Sequence, residues 1–583
     1  MILVFGGTTE GRKAVSVLEE AGSLFYYSTI GDTQEVRLTH GKRLEGVMTE
    51  ADIINFCNAN GIKLIVDAAH PFAQKLHCSV ASVASRLNMP AIRFDRIYPK
   101  LQEEDIIWCS DYSDAVQRIR QSGVATIVTT TGVKSIRHLK VLEYSGIRCY
   151  YRILDRNDSR KIAIAEGVDQ DKILYYSPSS MERQLKEVGA DAIIMKESGE
   201  TGGFVEKVNI SRKLCLTIFV VRRPQIHEIF HKVNGEHGLR LMVERLLPSF
   251  FPLHSGITTG TCATAAAVAE LLRQTTVPVV LPNGETIMVD AELHNGYASV
   301  IKHSGDDPDV TDGVEITANI KVLSNRDYIK IKGGRGVGII TFDGFDFPKG
   351  EPAINKVPRE MIRNNLRLYT DKALEVTIAV PDGERLASKT FNPRLGIVGG
   401  ISIIGVSGIV KPFSEKSFIE SIKKCLHIAK ATGNDEVVIN SGAKSERYLK
   451  DRFPSLPPQS FVEYGNYIGE TIRAAADIGF QTVYLGVMLG KAVKLAAGNI
   501  DTHSKRATMD RTFIAQMLRE AGISSAILSG ITLARELWKQ LPPQSVELFA
   551  HVIIRHCHAV CAPLFPNGRL VVLLIDNDGN VYN

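Results

Sequence analysis

The sequence predicts an α/β protein, with two Rossmann-like parallel-sheet units followed by an α+β domain and a further α/β unit. The first observation is that short apolar runs alternate with amphipathic stretches over residues 1–225, which is typical of parallel sheets covered by helices. The second is that the same alternation returns after residue 395. The third is the length of 583 residues, which exceeds what one hydrophobic core usually serves.

The elements of the first region follow from the spacing of their apolar residues. Runs rich in Val and Ile predict buried strands in ILVF, KLIVDAA, ATIVTTTG, DAIIMKES and LTIFVVRRP. Apolar residues three and four positions apart predict helices in RKAVSVLEEAG, FAQKLHCSVASVASRL and VKSIRHLKVLEYSG.

The pattern changes after residue 225, and we expect residues 226–253 to be a linker. A helical stretch there ends at Pro248, before a junction containing Pro252. Residues 254–394 predict the α+β domain, because the helix CATAAAVAELLR precedes short strands separated by the turn sequences PNGE, HNGY and PDGE. Residues 395–583 predict the last α/β unit, in which EVVINSG, TVYLGVML and SAILSG each precede a helix.

Composition narrows the class of protein. The net charge of +5, from 69 basic and 64 acidic residues, is too slight to predict a nucleic-acid partner. No apolar run of about 18 residues exists, so no membrane span is expected. The chain starts directly with a predicted strand, which leaves no room for a signal peptide, and we expect a cytoplasmic protein. The sequence leaves the oligomeric state open, a homo-oligomer included.

The nine cysteines are odd in number and scattered, which favours reduced thiols over a disulfide framework. The segment RHCHAVCAP brings Cys557 and Cys561 close to His556 and His558. Zinc sites usually need a second such pair, and the sequence has none. We therefore predict a buried strand in this segment and no protein metal site.

The first constellation of candidate site residues is the turn in ILVFGGTTEGR. Its glycines let the backbone approach a ligand closely, and the following helix N-terminus favours an anion such as a phosphate. The spacing differs from G-x-G-x-x-G, so a nucleotide site and a simple strand-to-helix turn both remain open. Asp32 is placed for a ribose contact or for a turn, and Arg12 for a 2′-phosphate. The candidate cofactor-binding residues are Gly6, Gly7, Thr8, Thr9, Gly11, Arg12 and Asp32.

Further motifs follow this turn in order: DAAHPFA, PAIRFDR, TTTGVK, KESGETGG and RRP. Together they resemble the precorrin-6A reductase family and its cobalt-pathway counterpart, over nearly all of residues 1–225. The resemblance implies a reductase that delivers hydride from NADH or NADPH to the macrocycle of a corrin precursor.

The reductase resemblance gives roles to residues at the ends of predicted strands. His70 follows a strand, where α/β sheets bind ligands, and is a candidate for substrate contact or proton supply. The alternative is a histidine that caps the following helix. The macrocycle carries many carboxylates, so basic groups on loops would anchor it. The candidate substrate contacts are Phe72, Lys196 and Ser198.

The second constellation is HSGITTGTCATAAAVAE, whose hydroxyls and glycine at a helix start form a cap and an anion cradle. A capped helix that needs alanine for close packing is the alternative. The candidate substrate-binding residues are Thr258, Thr259, Gly260 and Thr261.

The acidic loop KHSGDDPDVTDG suggests a metal cage at first sight. It departs from the calcium-loop pattern, which needs ligands at alternate positions and a late glutamate. Cofactor or substrate binding, a structural turn and a metal site stay open for Asp306, Asp307 and Asp309.

Four longer motifs come after the acidic loop: GRGVGIIT, GEPAINKVPREMI, TFNPRLGIVGGISIIGVSGIVKPFS and GKAVKLAAGNIDTHS. Residues 254–583 thereby resemble the cobalt-precorrin-5B C1-methyltransferase family, which implies methyl transfer from S-adenosylmethionine. In that setting Gly399 and Gly400 wrap the cofactor or, alternatively, form a tightly packed core strand. Asn392 and Arg394 are candidate polar contacts with substrate, and His503 is a candidate base or substrate ligand.

The two resemblances name consecutive steps of anaerobic cobalamin biosynthesis. They imply C1-methylation of cobalt-precorrin-5B to cobalt-precorrin-6A, followed by reduction to cobalt-precorrin-6B. The partners are then cobalt-corrinoid small molecules, and cobalt arrives inside the substrate. Two alternatives remain: an unrelated dehydrogenase fused to another methyltransferase, and a non-catalytic corrinoid carrier or sensor.

Overall fold

The computed structural model describes residues 1–31, 35–98, 103–323, 328–342, 346–393, 395–412, 414–503, 510–528, 531 and 534–583. The chain forms two compact units. Unit 1 comprises Met1–Ser255 with Pro278–Met288, and unit 2 comprises Gly256–Val277 with Val289–Asn583.

The first sheet of unit 1 is built from buried apolar strands. Its early elements are β1 (Ile2–Phe5), α1 (Thr9–Glu19), β2 (Phe25–Thr29), β3 (Gly41–Glu45), α2 (Glu50–Asn60), β4 (Leu64–Asp67), α3 (Gln74–Leu87) and β5 (Ala91–Asp95). The strands β1, β2 and β4 are buried on both faces, as expected of a parallel sheet covered by helices.

The second sheet of unit 1 repeats the same architecture. Its elements are β6 (Ile106–Cys109), α4 (Tyr112–Gln121), β7 (Thr126–Thr129), α5 (Ile136–Leu139), β8 (Arg148–Ile153), α6 (Asn157–Ala165), β9 (Ile173–Tyr175), α7 (Met181–Glu187), β10 (Ala192–Lys196), α8 (Phe204–Lys213) and β11 (Thr217–Val221). The strand order is β6-β11-β10-β7-β8-β9, and every pairing is parallel.

The segment predicted as a linker belongs to the first sheet, so that prediction is wrong. It contains β12 (Phe230–Asn234), which pairs in parallel with β5, and α9 (Gly235–Leu246). The full strand order is β12-β5-β4-β1-β2-β3. Leu239 and Val243, one helical turn apart, are buried in the same core as Val15 and Leu18 of α1. The physical reason is that α9 has an apolar face, which α1 and its sheet cover.

Unit 1 is completed by residues 278–288, the tip of a hairpin. Its strands are β14 (Thr276–Val280) and β15 (Thr286–Asp290). Glu285, before β15, accepts hydrogen bonds from the backbone N–H groups of Glu236 (3.1 Å) and His237 (3.0 Å) and contacts His237 Nδ1 (2.9 Å). The hairpin thereby satisfies free N–H groups at the start of α9.

Unit 2 opens with an α+β arrangement. Its elements are β13 (Gly256–Ile257), α10 (Thr259–Leu272), β16 (Glu292–His294), β17 (Tyr297–Ile301), β18 (Glu315–Val322), β19 (Ile329–Gly333), β20 (Gly336–Val337), β21 (Ile339–Ile340), α11 (Lys356–Arg367), β22 (Leu374–Ala379), α12 (Gly383–Ala387), β23 (Ile397–Val398), β24 (Gly400–Ile401) and β25 (Ile409–Val410). A mixed sheet of order β16-β17-β18-β22-β19 packs on α10. Alanine-rich α10 is buried along most of its length, because small side chains allow close packing.

The last part of unit 2 is the predicted α/β sheet. Its elements are α13 (Glu415–Ala431), β26 (Glu436–Asn440), α14 (Ala443–Arg452), β27 (Phe461–Glu463), α15 (Ile468–Ile478), β28 (Thr482–Met488), α16 (Leu489–Ala496), α17 (Arg511–Glu520), α18 (Ala534–Gln540), α19 (Pro543–Cys561), β29 (Arg569–Ile575) and β30 (Val581–Tyr582). The strand order is β27-β26-β28-β29-β30, and only β30 pairs antiparallel. The predicted fold class is thereby confirmed.

The predicted strand around Cys557 is wrong, because the segment is the end of helix α19. Phe549, Ile553, Cys557 and Cys561 recur every four residues and are all buried. This spacing places them on one face of the helix. That face packs into the core of the sheet formed by β26–β30, which is the third α/β sheet of the chain. Among the described residues, we find no helix whose length and apolar character would let it span a lipid bilayer.

Candidate functional sites

The glycine turn after β1 packs against a buried tyrosine of β2. A Cβ at Gly6 would lie 2.2 Å from the Tyr27 ring, and one at Gly11 would lie 2.7 Å from its hydroxyl, so packing alone requires glycine at both positions. Gly7 has φ +89 and open space around it, and its N–H donates to the Tyr27 hydroxyl at 3.1 Å. Thr8 Oγ1 accepts from Gly11 N at 3.0 Å and caps α1. Of the glycines in this turn, Gly7 is the one with room for a ligand.

Two further predicted cofactor contacts, Arg12 and Asp32, follow this turn. Arg12 is exposed, and its Nη2 donates to Thr9 Oγ1 at 3.2 Å. The predicted cofactor contact Asp32 lies outside the described residues. The preference for NADH or NADPH therefore stays a prediction.

The loop after β4 is fixed by a buried carboxylate that sequence reasoning missed. Asp67 is 0% exposed, and its oxygens contact Arg93 Nη1 (2.9 Å), His77 Nδ1 (2.5 Å) and the N–H of Ala69 (3.1 Å). Burial alone would raise the pKa of Asp67, but the His77 hydrogen bond and the Arg93 charge outweigh it and lower the pKa. The sequence signal was an aspartate at the end of an apolar strand.

His70 projects from this fixed loop. Its Nδ1 accepts a hydrogen bond from the N–H of Phe72 at 3.2 Å, which leaves the ring proton on Nε2. Burial lowers the pKa of His70 to about 3, and the charges of Arg96 and Lys196 act in the same direction. The imidazole is therefore neutral near pH 7, and it can donate one hydrogen bond from Nε2. Its side chain closes the turn before α3.

The loop after β10 brings Lys196 and Ser198 to the same region. Lys196 Nζ lies 5.0 Å from the centre of the Phe72 ring, and Phe72 packs against the core of the second sheet. Burial lowers the pKa of Lys196 to about 8, and the Lys134 charge contributes. Ser198 is 5% exposed and its Oγ donates to Gly202 O at 3.2 Å, so its side chain orders this loop.

Arg96 and Glu10 connect the loops of the two sheets in unit 1, and neither was a predicted site residue. Arg96 Nε donates to Glu10 Oε2 (3.1 Å), and its Nη1 donates to Ser198 O (2.7 Å). Thr201 Oγ1 donates to the other Glu10 oxygen at 2.6 Å. The carboxyl ends of β1, β5 and β10 are thus joined. His70 and Phe72, from the loop after β4, form one site with Lys196 through the contact of Lys196 Nζ with the Phe72 ring and the 6.0 Å separation of the His70 and Phe72 rings.

Because His70 is neutral, its replacement by asparagine tests the role of Nε2. An amide oxygen at this position can still accept from Phe72 N, while the shorter asparagine side chain lacks a donor at the position of Nε2. We expect the pH profile of reduction to show no inflection from residue 70 between pH 5 and 8 in either protein. We also expect wild-type stability to fall as pH decreases from about 6.5 towards 3, since only the unfolded histidine binds a proton there, and this fall to be smaller in His70→Asn. Stopped-flow assays and urea unfolding across pH measure both, and equal pH dependence of stability in the two proteins would contradict this assignment.

In unit 2, the predicted cap at the start of α10 is confirmed. Thr258 Oγ1 accepts from Thr261 N at 3.2 Å. Thr259 Oγ1 donates to Ile404 O (3.1 Å), and Thr261 Oγ1 donates to Gly408 O (2.6 Å). The N–H of Gly260 also donates to Ile404 O, at 2.9 Å. These groups hold the glycine-rich segment 402–408, and their contact with substrate stays a prediction.

Of the two glycines predicted to bind the cofactor, Gly399 and Gly400, one is tightly packed. Gly400 is buried and pairs with Gly336, and its carbonyl accepts from Asn392 Nδ2 at 3.0 Å. Gly399 is exposed, with φ +77 and open space around it. Asn392 is 7% exposed and also accepts from Ser402 Oγ at 3.1 Å, so its amide orders this segment. The predicted contact Arg394 lies outside the described residues.

The acidic loop after β17 is closed by a buried lysine. Lys302 is 1% exposed, and its Nζ donates to Asp309 Oδ2 at 2.8 Å and to Ser304 Oγ. Asp309 Oδ1 accepts from the N–H of Thr311 at 2.8 Å. Asp306 is exposed and Asp307 is half-buried. In the described part of the chain, no group of three or more His, Cys, Asp or Glu side chains is placed to hold a metal ion.

His503 lies at the third α/β sheet. Its N–H donates to Asp501 Oδ1 at 3.0 Å, and Asp501 forms a β-bridge with Tyr467. The neighbouring Thr502 N–H donates to Asn466 O at 3.1 Å. His503 is therefore beside the loop that follows β27, and its role as a base or substrate ligand stays a prediction.

Comparison with known families matches the chain in three stretches. A family model described as precorrin-6x reductase CbiJ/CobK matches residues 1–237. The CbiD family model matches residues 249–412, and its C-terminal domain matches residues 501–583. A solved structure described as CobK precorrin-6A reductase is 18% identical, with a TM-score of 0.34, and covers 42% of this chain and 97% of that one.

Two curated relatives are both described as cobalt-precorrin-5B C(1)-methyltransferase. The one from Prosthecochloris aestuarii is 38% identical over 350 residues, covering 56% of this chain and 95% of the relative. The one from Thermus thermophilus is 38% identical over 313 residues, covering 52% of this chain and 85% of the relative. Both resemblances drawn from the sequence are confirmed: residues 1–237 match the precorrin-6x reductase CbiJ/CobK family model, and the chain belongs to the cobalt-precorrin-5B C(1)-methyltransferase family.

Proposed function

We propose that the chain is a bifunctional enzyme of cobalamin biosynthesis. It transfers a methyl group from S-adenosylmethionine to C1 of cobalt-precorrin-5B, and it reduces the product, cobalt-precorrin-6A, to cobalt-precorrin-6B with NADH or NADPH. The observation that carries this proposal is the presence of both family matches in one chain, one over residues 1–237 and the other from residue 249 onward. The nine free cysteines support a reducing, cytoplasmic setting.

The reductase site supports addition of hydride and a proton to an anionic macrocycle. The nicotinamide cofactor would supply the hydride, and the open space at Gly7 is where the cofactor would approach the backbone. Balance requires one proton on the ring. Lys196, with a pKa of about 8, is mostly protonated at neutral pH and releases its proton more readily than an ordinary lysine. Neutral His70 donates a hydrogen bond to the substrate from Nε2.

The methyltransferase half supports binding of a large ring on an apolar surface. Ile339 pairs with Val398 in a short antiparallel ladder, and both side chains are exposed. Val406, on the segment held by the α10 threonines, is 80% exposed. Methyl transfer to a ring carbon is an in-line displacement that needs positioning and exclusion of water more than acid or base groups. Exposed aliphatic side chains can position an apolar ring face and exclude water from it.

An anaerobic assay tests both activities on the full chain. We expect cobalt-precorrin-5B, methyl-labelled S-adenosylmethionine and NADPH or NADH to give a product heavier by one methyl and then by two hydrogens in mass spectrometry. In Lys196→Met, loss of the proton donor should slow reduction by about 100-fold or more and leave methylation unchanged. Lys186→Met, at an exposed lysine on α7, is the matched control.

The outcomes separate the alternatives. Pigment that binds and shifts colour without any change in mass would point to a corrinoid carrier or sensor and refute the enzyme. Methylation without reduction in the wild type would refute the reductase assignment. Reduction at the wild-type rate in Lys196→Met would refute only the role of Lys196 as proton donor, and the two proposed activities would stand.

A further inference from the structure

The carboxyl edge of the third α/β sheet has the topology of a ligand site. The chain leaves β26 for β27 on one side, and after β27 it crosses to β28 on the other side of β26. The loops after β26 and β28 therefore diverge and leave a crevice between them. In open parallel sheets, ligands bind in such a crevice, outside the carboxyl ends of the strands.

The main chain at this crevice has a glycine on each side. Gly442, directly after β26, has φ +138, a conformation that favours glycine. A Cβ at Gly442 would lie 3.2 Å from Oε1 of Glu463, and no other group lies as close. Gly490, after β28, has open space where a side chain would be. A glycine turn after the first strand and a carboxylate at the end of the second, about 20 residues later, is the arrangement that binds ribose hydroxyls in dinucleotide folds.

The loop differs from a phosphate site in one respect. The N–H of Gly442 donates to Asn440 Oδ1 at 3.0 Å, and the N–H of Ser441 donates to Ser445 Oγ at 3.0 Å. Phosphate sites of this type use such N–H groups for the ligand. Because side chains of this chain occupy both groups, the loop suits a nucleoside that carries no phosphate.

A cation lies on the same edge. Lys491, near the start of α16, donates to Gly465 O and lies 5.6 Å from the centre of the Tyr464 ring. Lys491 is thus held at the loop that directly follows Glu463, and burial lowers the pKa of Lys491. The ammonium of Lys491 and the carboxylate of Glu463 therefore lie on the same edge of the sheet.

We propose that this crevice binds the nucleoside part of S-adenosylmethionine, with Glu463 accepting hydrogen bonds from the ribose hydroxyls and Lys491 facing the carboxylate of the methionine part. The assignment rests on the proposed methyl transfer and names its cofactor site. It places the cofactor on the third α/β sheet, and leaves the glycine-rich segment around Gly399 and Gly400 for the corrin ring. Residues 413–500, which carry Gly442 and Glu463, lie between the two matched CbiD stretches.

Binding of S-adenosylhomocysteine to the full chain tests this assignment by calorimetry. We expect Glu463→Gln to weaken binding at least about tenfold, since hydrogen bonds to a charged group are lost. Glu470→Gln, at an exposed glutamate paired with Arg473 on α15, should bind as the wild type does. The 2′,3′-dideoxy analogue should bind wild type and Glu463→Gln equally, because it lacks the hydroxyls that Glu463 would accept.

Amide hydrogen exchange locates the ligand independently of any substitution. We expect S-adenosylhomocysteine to protect residues 440–445 and 463–467 more than residues 396–405. Unchanged affinity in Glu463→Gln, or protection confined to residues 396–405, would overturn this assignment and leave the proposed methyl transfer intact. Absence of both S-adenosylhomocysteine binding and methylation in the wild type would overturn both.

Discussion

Replacing Asp67 by alanine is expected to destabilise unit 1 by about 3 kcal/mol, because it leaves the buried charge of Arg93 with only the more distant Asp95 carboxylate, 3.6 Å away. Asp67 is 0% exposed and Arg93 is 1% exposed. The same carboxylate fixes His77 and the turn that leads to His70, so reduction should be lost together with stability. Urea unfolding followed by circular dichroism measures the first effect, and the anaerobic assay the second.

The double variant Asp67→Ala/Arg93→Met is the control. It removes both charges, so it should recover part of the lost free energy of unfolding if the buried charge is the cause. A single variant within about 1 kcal/mol of wild type would contradict the assignment. The lowered pKa of Asp67 adds a pH test. Its contribution to wild-type stability is full above about pH 5 and is lost as pH falls through the folded pKa, and Asp67→Ala should lack this dependence.

Replacing Asp309 by alanine is expected to cost unit 2 about 2–3 kcal/mol. It leaves the buried ammonium of Lys302 with Ser304 as its remaining side-chain partner among the described residues. The value lies below that of a fully buried pair because the Asp309 side chain is 28% exposed. The loop 302–313 should open, and methyl transfer should fall with it. Chemical unfolding and the methylation assay check the two effects.

Asp306→Ala is the matched control for this loop. Asp306 is exposed, so its replacement should change the free energy of unfolding by less than about 0.5 kcal/mol. Equal losses in the two variants would contradict the view that the Lys302 pair closes the loop. A change confined to substrate affinity at Asp306 would instead assign that carboxylate to the ligand.

The sequence predicted the parallel sheets because strands buried on both faces appear as apolar runs, as in β1 and β4. It missed β12, because an edge strand is exposed on one side and FHKVN carries His231 and Lys232 at exposed positions. The sequence-based prediction placed a strand at the end of α19, because the short apolar run around Cys557 was interpreted by itself. The helical spacing that begins at Phe549 was not considered together with it.

The sequence predicted hydrogen bonds between neighbouring residues of a site, but not those between residues that are distant in the chain. The cap by Thr258 is local and was predicted. The partners of Thr259 and Thr261 are carbonyls about 145 residues away, at Ile404 and Gly408, and no spacing rule reveals them. The same limit hid Arg96, whose partners are Glu10 in the first turn of α1 and Ser198 in the loop after β10.

The hairpin tip in unit 1 has a consequence for exchanging parts of this enzyme. Residues 278–288 follow α10 in the chain, yet they belong to unit 1, where Glu285 caps α9. A single cut near residue 255 would therefore deprive α9 of that cap and leave a stray hairpin on the other fragment. A reductase fragment fused to another protein would need residues 278–288 added to residues 1–255. The two activities are encoded one after the other in the chain, but a single cut does not separate the two folded units.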